Sequence, residues 1–288
     1  MPRARCNGVE LEYETLGRAG DPVLLLIMGL GAQLTDWPED FCTGLAGRGL
    51  FVVRFDNRDC GLSTSLDELG TPDLPGLFAG TATAPYLLAD LAADAVGLLD
   101  ALGVERAHVV GASMGGMIAQ RVAIDHPDRV RSLCSIMSTT GDRSVGQPTP
   151  EAAAALRRPP ATTREEAIAG SMAASRVFGS IGFDATEYAL RRRAEQKYDR
   201  AYRPLGTMRQ LAAVYAGPDR TEALGKVTVP TVVIHGALDP LVDVSGGRAT
   251  AAAVPGAELV VLPGVGHGIP ADVIPAMVEA IARTAGRA

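Results

Sequence analysis

The sequence predicts an α/β fold: a mainly parallel central sheet, helices on both faces, and a helical insertion between two of the strands. Three observations predict it. Short apolar runs such as Val23–Ile27, Phe51–Phe55 and Thr231–Gly236 alternate with helix-patterned stretches, the rhythm of a parallel sheet whose crossovers are helices. The run Val109-Val110-Gly111-Ala112-Ser113-Met114-Gly115-Gly116 leads from an apolar strand through a G-x-S-x-G pattern into a helical pattern. From Ser138 to about Val227 no convincing strand occurs, only helix-like pieces with Pro148, Pro150, Pro159 and Pro160 at the joints. Residues 1–137 and 228–288 are therefore expected to form the core, and 138–227 a helical cap.

The elements follow in order. Arg3–Cys6 and Val9–Leu16 flank Asn7-Gly8, a strong hairpin signal. Val23–Ile27 is apolar throughout, as a strand buried on both faces must be. It ends in the tight-turning Met28-Gly29-Leu30-Gly31, and a helix is expected over 36–48 with Gly49 past its end. The strand Phe51–Phe55 runs into Asp56-Asn57-Arg58-Asp59. That cluster admits an acid–base or metal reading, but no histidine or further carboxylate lies close in sequence. A polar turn knitted by Asp–Arg and side-chain-to-backbone bonds is favoured. The Gly/Pro-rich stretch 70–85 reads as a loop. Over 85–102, Leu88, Leu91, Ala95, Leu98 and Leu102 recur at helical spacing, and Gly103 stops the helix. After the serine turn a helix runs to about Asp125, and 130–137 is the next strand. Helical pieces are expected near 163–178, 184–200 and 204–216. The sheet resumes at Thr231–Gly236, 259–262 is its last strand, and 271–283 the last helix.

The chain has 288 residues, 47% of them hydrophobic, enough to bury a large core. A net charge of −6 offers no basic footprint for nucleic acid or an anionic membrane. Cys6, Cys42, Cys60 and Cys134 are scattered without a C-x-x-C, which suits reduced thiols in a cytoplasmic protein and argues against a zinc site. The N-terminus enters a strand pattern rather than a signal segment, and no apolar run is long enough to span a bilayer. No metal or organic cofactor is called for.

The serine turn carries the chemistry. Gly111 and Gly115 lack side chains where a Cβ would strike the neighbouring strand or helix, so the turn can be tight enough to push the Ser113 hydroxyl out above the sheet. A serine is a poor nucleophile at pH 7. It needs a base, and the base needs a group that fixes its tautomer. The chain has four histidines. His108 begins the strand that enters the turn, at the far end of the sheet. His126 lies past the helix, before Pro127. His235 ends a strand, with its side chain expected to pack beside neighbouring loops. His267, in the Gly-rich Gly264-Val265-Gly266-His267-Gly268 after the last strand, is free to bend over the serine and is the expected base. For the acid, Asp239 follows Thr231–Gly236 directly and is preferred to Asp243. Backbone N–H groups of Met114, at a helix start, and Leu30, after the early buried strand, are the expected oxyanion donors.

Together Met28-Gly29-Leu30-Gly31, Asp56-Asn57-Arg58-Asp59, Gly111-Ala112-Ser113-Met114-Gly115-Gly116, Asp239 and Gly266-His267 resemble the α/β-hydrolase family. Within it the chain is most similar to a subgroup of actinobacterial esterases that includes aclacinomycin methylesterase. Many members have His-Gly where this chain has Met28-Gly29, a change that keeps the backbone donor and lowers pocket polarity. The resemblance implies an α/β-hydrolase fold with a helical lid and a serine carboxylic ester hydrolase using Ser113, His267 and Asp239. The substrate would be a small-molecule ester, small to medium and apolar, methyl esters included. The same triad serves lactonases, thioesterases, carbon–carbon bond hydrolases and cofactor-free perhydrolases, and a ligand receptor on this fold is the non-enzyme alternative. A monomer or homodimer is expected. Apolar pocket candidates are Met28, Leu30, Trp37, Met114 and Met137 from the core, with Met172, Phe178, Phe183, Tyr188, Tyr198, Tyr202 and Tyr215 from the insertion.

Overall fold

Alternate residues of the central strands face two separate cores, and this organises the molecule. Leu25 and Ile27 pack into one cluster with Val53, Val109 and Leu133, while Leu24 and Leu26 pack into a second with Val52, Val110 and Cys134. Strands buried on both faces need no polar alternation, which is why their sequences read as continuous apolar runs.

The computed structural model describes residues 2–180 and 186–288. In chain order the elements are β1 (Arg3–Cys6), β2 (Val9–Leu16), β3 (Val23–Ile27), α1 (Glu39–Ala46), β4 (Phe51–Phe55), α2 (Leu74–Ala79), α3 (Leu88–Ala101), β5 (Ala107–Ala112), α4 (Met114–Asp125) and β6 (Val130–Ile136). Then come α5 (Pro150–Leu156), α6 (Arg164–Phe178), α7 (Glu187–Arg200), α8 (Pro204–Ala216), α9 (Thr221–Leu224), β7 (Thr231–Gly236), α10 (Val244–Ala253), β8 (Glu258–Leu262) and α11 (Ile274–Ala285). Among the described residues the strands form one eight-stranded sheet in the order β1-β2-β4-β3-β5-β6-β7-β8. The β1–β2 and β2–β4 pairings are antiparallel and the rest parallel. Helices α3 and α4 cover the first core; α1 and α11 cover the second. The described residues between β6 and β7 hold α5 to α9 and no strand.

Several boundaries differ from those expected. The helix expected at 36–48 is a 3-10 turn at Leu34–Asp36 followed by α1, because Pro38 opens the helix and its carbonyl accepts from Phe41 and Cys42. The 70–85 stretch is not all loop. Asp73 caps the Gly76 N–H at 2.9 Å and nucleates α2. Helix α3 begins at Leu88 because the Asp90 carboxylate accepts from the Leu87 N–H at 2.8 Å, closing its first turn. Helices α5 and α10 lie where no helix was singled out. The start of the 184–200 piece falls on 184–185, outside the described residues, as does Phe183.

The polar turn after β4 is knitted, but by distant partners. Asp56 accepts from the backbone N–H groups of Leu34 and Leu62 at 2.7 and 2.8 Å and pairs with Arg200 at 2.8 Å. Arg58 forms a bidentate pair with Asp94 of α3, both contacts at 2.6 Å. Asp59 holds Arg209 of α8 at 2.7 and 2.8 Å, with both side chains fully buried. The loop is therefore the structural junction between the sheet and the inserted helices.

Candidate active site

Ser113 lies between β5 and α4 with φ 58° and ψ −120°, a left-handed conformation that L side chains rarely adopt. Its neighbours explain how the turn is forced. A Cβ on Gly111 would stand 2.0 Å from the Gly115 carbonyl oxygen, and one on Gly115 would stand 2.0 Å from the Ile27 carbonyl oxygen. Gly116 is equally constrained, since its Cβ would meet the Ser138 side chain at 2.6 Å. The Ser113 N–H donates to the Ile136 carbonyl at 2.8 Å, and the Ser138 hydroxyl donates to the Ser113 carbonyl at 2.8 Å. The strained residue is thus fixed at both backbone ends by β6 and the residues after it. Sequence reasoning missed Ser138, for which no local signal exists.

The Met28-Gly29-Leu30-Gly31 loop packs onto the serine: a Cβ on Gly29 would lie 3.1 Å from Ser113 Cβ. The loop is held from outside. Asn57 donates to the Met28 carbonyl at 2.9 Å, and Gly31 N–H donates to the Gln210 side-chain oxygen at 2.8 Å. Gln210 in turn donates to the Arg58 carbonyl at 2.7 Å. Among the described residues, neither the Leu30 N–H nor the Met114 N–H has an acceptor within the protein, and both residues line one cavity with Ser113.

Asp239 lies in the turn after β7, with its side chain fully buried. One carboxylate oxygen accepts from the backbone N–H groups of Leu241 and Val242, each at 2.9 Å. The other faces the His267 Nδ1 at 2.7 Å. Burial alone would push this carboxyl's pKa up. Hydrogen bonds from His235, His267 and the Val242 backbone, with the His267 charge, outweigh it and hold Asp239 well below the usual carboxylate range. It therefore stays ionised beside the imidazole.

His267 is positioned partly by the inserted segment. Its backbone N–H donates to the Phe178 carbonyl at 2.7 Å, and the Gly266 N–H donates to the Ser180 hydroxyl at 2.9 Å. A Cβ on Gly266 would stand 2.1 Å from the Gly179 carbonyl oxygen. The rival groups are engaged elsewhere. Asp243 caps α10, accepting from the Ser245 N–H at 3.0 Å. His108 is buried against the Ser132 hydroxyl at 2.9 Å, at the opposite end of β5 from Ser113. His126 ends α4. His235 packs inside the turn that carries Asp239: its Nε2 lies 2.7 Å from the Val242 carbonyl and 3.5 Å from Asp239 Oδ2.

Ser113 and His267 line the same cavity, of about 990 Å³. Of the apolar candidates, Met28, Leu30, Trp37, Met114, Met137, Phe178 and Tyr215 line it. Met172, Tyr188, Tyr198 and Tyr202 do not. Met172 is buried between α6 and α7, Tyr198 stacks on Tyr202 at 5.0 Å, and Tyr188 is exposed. Among the described residues no group of three or more His, Cys, Asp or Glu side chains is arranged to hold a metal ion, and no helix is long and apolar enough to cross a membrane. The four cysteines are buried, unpaired thiols.

Known proteins are similar to this chain over most of its length. The sequence profile of the alpha/beta hydrolase fold matches residues 22–272. A rhodomycin D methylesterase from Streptomyces peucetius is 32% identical, over 95% of this chain and 94% of its own. A 3-oxoadipate enol-lactonase from Acinetobacter baylyi is 28% identical, over 83% of this chain and 80% of its own. In structure, an enol-lactonase from Burkholderia xenovorans superposes with a TM-score of 0.76 at 23% identity, covering 98% of this chain and 99% of that one, a likeness of fold. The expected resemblance to methylesterases is borne out, and the chain belongs to the α/β-hydrolase family.

Proposed function

We propose that this protein is a serine carboxylic ester hydrolase. Ser113 attacks the ester carbonyl while His267 takes its proton, and Asp239 fixes the imidazole tautomer and balances the imidazolium charge. The N–H groups of Leu30 and Met114 receive the negative charge that develops on the carbonyl oxygen. Collapse of the tetrahedral intermediate expels the alcohol, protonated by His267, and leaves an acyl-serine. Water activated by the same histidine then releases the acid. In this reading residues 1–137 and 228–288 are the catalytic core, and 138–227 the cap over the site.

The observation that carries the reading is the 2.7 Å contact between Asp239 and His267 at the wall of the cavity that Ser113 also lines. The methylesterase relative supports methyl esters as one substrate class. The enol-lactonase relative favours, as a second reading, ring-opening of a lactone by the same steps.

The test is hydrolysis of 4-nitrophenyl butyrate by the wild type beside Ser113→Ala, Asp239→Asn and His267→Ala. Activity that collapses in the serine and histidine variants supports the proposal, and a parallel panel of methyl esters and lactones assigns the substrate class. Folded wild-type protein that neither hydrolyses any of these esters nor takes a fluorophosphonate on Ser113 overturns it in favour of a receptor.

A further inference from the structure

Four arginines are buried among the described residues: Arg54, Arg58, Arg209 and Arg220. Three have carboxylate partners. Arg54 pairs with Glu14 and Glu39 at 2.8 and 3.0 Å, Arg58 with Asp94 at 2.6 Å, and Arg209 with Asp59 at 2.7 Å. Arg220 has none within ion-pair distance among the described residues. Its guanidinium donates only to neutral oxygens, at 3.0 Å to the Gln120 side chain, 3.2 Å to the Pro218 carbonyl and 2.9 Å to the Thr139 carbonyl. The adjacent Asp219 is exposed and engages Thr221 instead. Of the five N–H groups of a guanidinium, two are left without an acceptor among the described residues. A buried cation with no counter-charge is costly, and the burial pushes its pKa down to about 10. Arg220 lines the cavity that holds Ser113.

The cavity wall carries more guanidinium groups than carboxylates. Among its carboxylates, Asp36 is taken up by Lys197 at 2.9 Å and Glu39 by Arg54. Asp142 is spent on the Ser144 N–H and hydroxyl, both at 2.8 Å. Arg143, Arg192 and Arg193 also line the wall, are exposed, and have no carboxylate partner among the described residues. A chain of net charge −6 thus sets four guanidinium groups without a carboxylate partner among the described residues, against one such carboxylate, Asp142, around its candidate active site.

We propose that the substrate is an ester carrying a second, ionised carboxylate, seated on Arg220 and drawn in past Arg143, Arg192 and Arg193. The inference rests on the ester hydrolase reading and narrows its substrate class. The planar guanidinium fork matches a carboxylate, and an anion entering a cationic, low-dielectric cleft is steered as well as held.

The test is calorimetric binding to Ser113→Ala, which needs no turnover. Monobenzyl adipate is compared with benzyl 6-methylheptanoate, in which an isopropyl group replaces the carboxylate. The anion should bind on the order of tenfold tighter. The ratio should fall to about one when Arg220→Gln is added, and about threefold when Arg143, Arg192 and Arg193 are all changed to Gln. These three are surface residues, so the triple variant serves if Arg220→Gln does not fold. Equal or weaker binding of the anion, or no binding of either ester, overturns the proposal. So does a preference that survives both sets of substitutions. Turnover of the ester panel and fluorophosphonate labelling of Ser113 in the wild type read the hydrolase assignment separately: either of these without anion preference refutes only this inference, and anion preference with neither refutes the assignment.

Discussion

Replacing Asp239 by Asn tests the geometry around His267 most directly, because the surroundings dictate which way the new amide turns. One carboxylate oxygen accepts from two backbone N–H groups at 2.9 Å, and the other accepts from His267 at 2.7 Å. An amide has one oxygen. Placed on the backbone pair, it turns its NH₂ toward Nδ1 of His267, and that nitrogen must become the acceptor. The ring proton then moves to Nε2, the nitrogen that takes the serine proton in the proposed mechanism. The flipped amide would restore the working tautomer, but it faces two backbone N–H groups with NH₂. At about 1 kcal/mol or more each, that costs at least about 2 kcal/mol and leaves fewer than about one molecule in thirty competent. Loss of the carboxylate charge beside the imidazolium lowers the rate further, for an expected fall in kcat on the order of 10³. Initial rates with saturating 4-nitrophenyl butyrate measure it, with circular dichroism to establish folding. A folded variant retaining more than about a tenth of wild-type kcat would refute the reasoning.

Other perturbations have equally definite outcomes. Gly111→Ala places a methyl 2.0 Å from a backbone carbonyl oxygen, which no rotamer relieves; urea denaturation should show a loss of about 2–4 kcal/mol, and a change under 0.5 kcal/mol would count against the turn described. Arg209→Met leaves the fully buried Asp59 carboxylate uncompensated and should cost about 3–5 kcal/mol, much of it recovered in the Asp59→Asn/Arg209→Met double variant. Burial, aided by Arg131 and Arg106, pushes the His108 pKa down to about 4. Its neutral folded form adds stability above the unfolded value of about 6.5, and that stability is lost as pH falls toward 4. Denaturation midpoints at pH 4.5 and 7 should therefore differ less in His108→Asn than in the wild type. Asp239 is shifted the same way relative to the unfolded state. The stability its hydrogen bonds confer is present above the unfolded carboxylate value of about 3.9 and lost as pH falls below it, so the melting-temperature gap between wild type and Asp239→Asn should narrow at pH 3.

Where local chemistry and tertiary environment agree, the sequence is readable. The two-sided burial of β3 and β5 demands apolar runs, and the close approaches at Gly111 and Gly115 demand glycine. Chain order and loop composition then lead to Asp239 and His267. Helix α10 shows where reading fails. Gly246 and Gly247 in its interior argue for a loop by propensity. Their reason is tertiary, since a Cβ at Gly246 would meet Thr139 at 3.0 Å and one at Gly247 would meet the His235 ring at 2.4 Å. The packing of the sheet supplies what local preference withholds. The turn at Asp56–Asp59 was legible as polar and structural, yet its partners Asp94, Arg200 and Arg209 lie 36 or more residues away. Arg220 gave no signal at all, because an arginine in sequence carries no mark of being buried without a counter-charge.

The hydrogen bonds from His267 and Gly266 to Phe178 and Ser180 bear on how such a protein can be rebuilt or can diverge. The inserted segment is not an interchangeable attachment, because its Phe178 carbonyl and Ser180 hydroxyl set the posture of the histidine loop. A chimera that exchanged only the helices before Phe178 would alter what the cavity admits and keep that posture. One whose crossover lay beyond Ser180 would alter both at once, and a loss of rate in it would say nothing about the new cavity. The same coupling restrains inheritance: a lineage can vary α5 and most of α6 freely only while Phe178 to Ser180 continues to meet the loop.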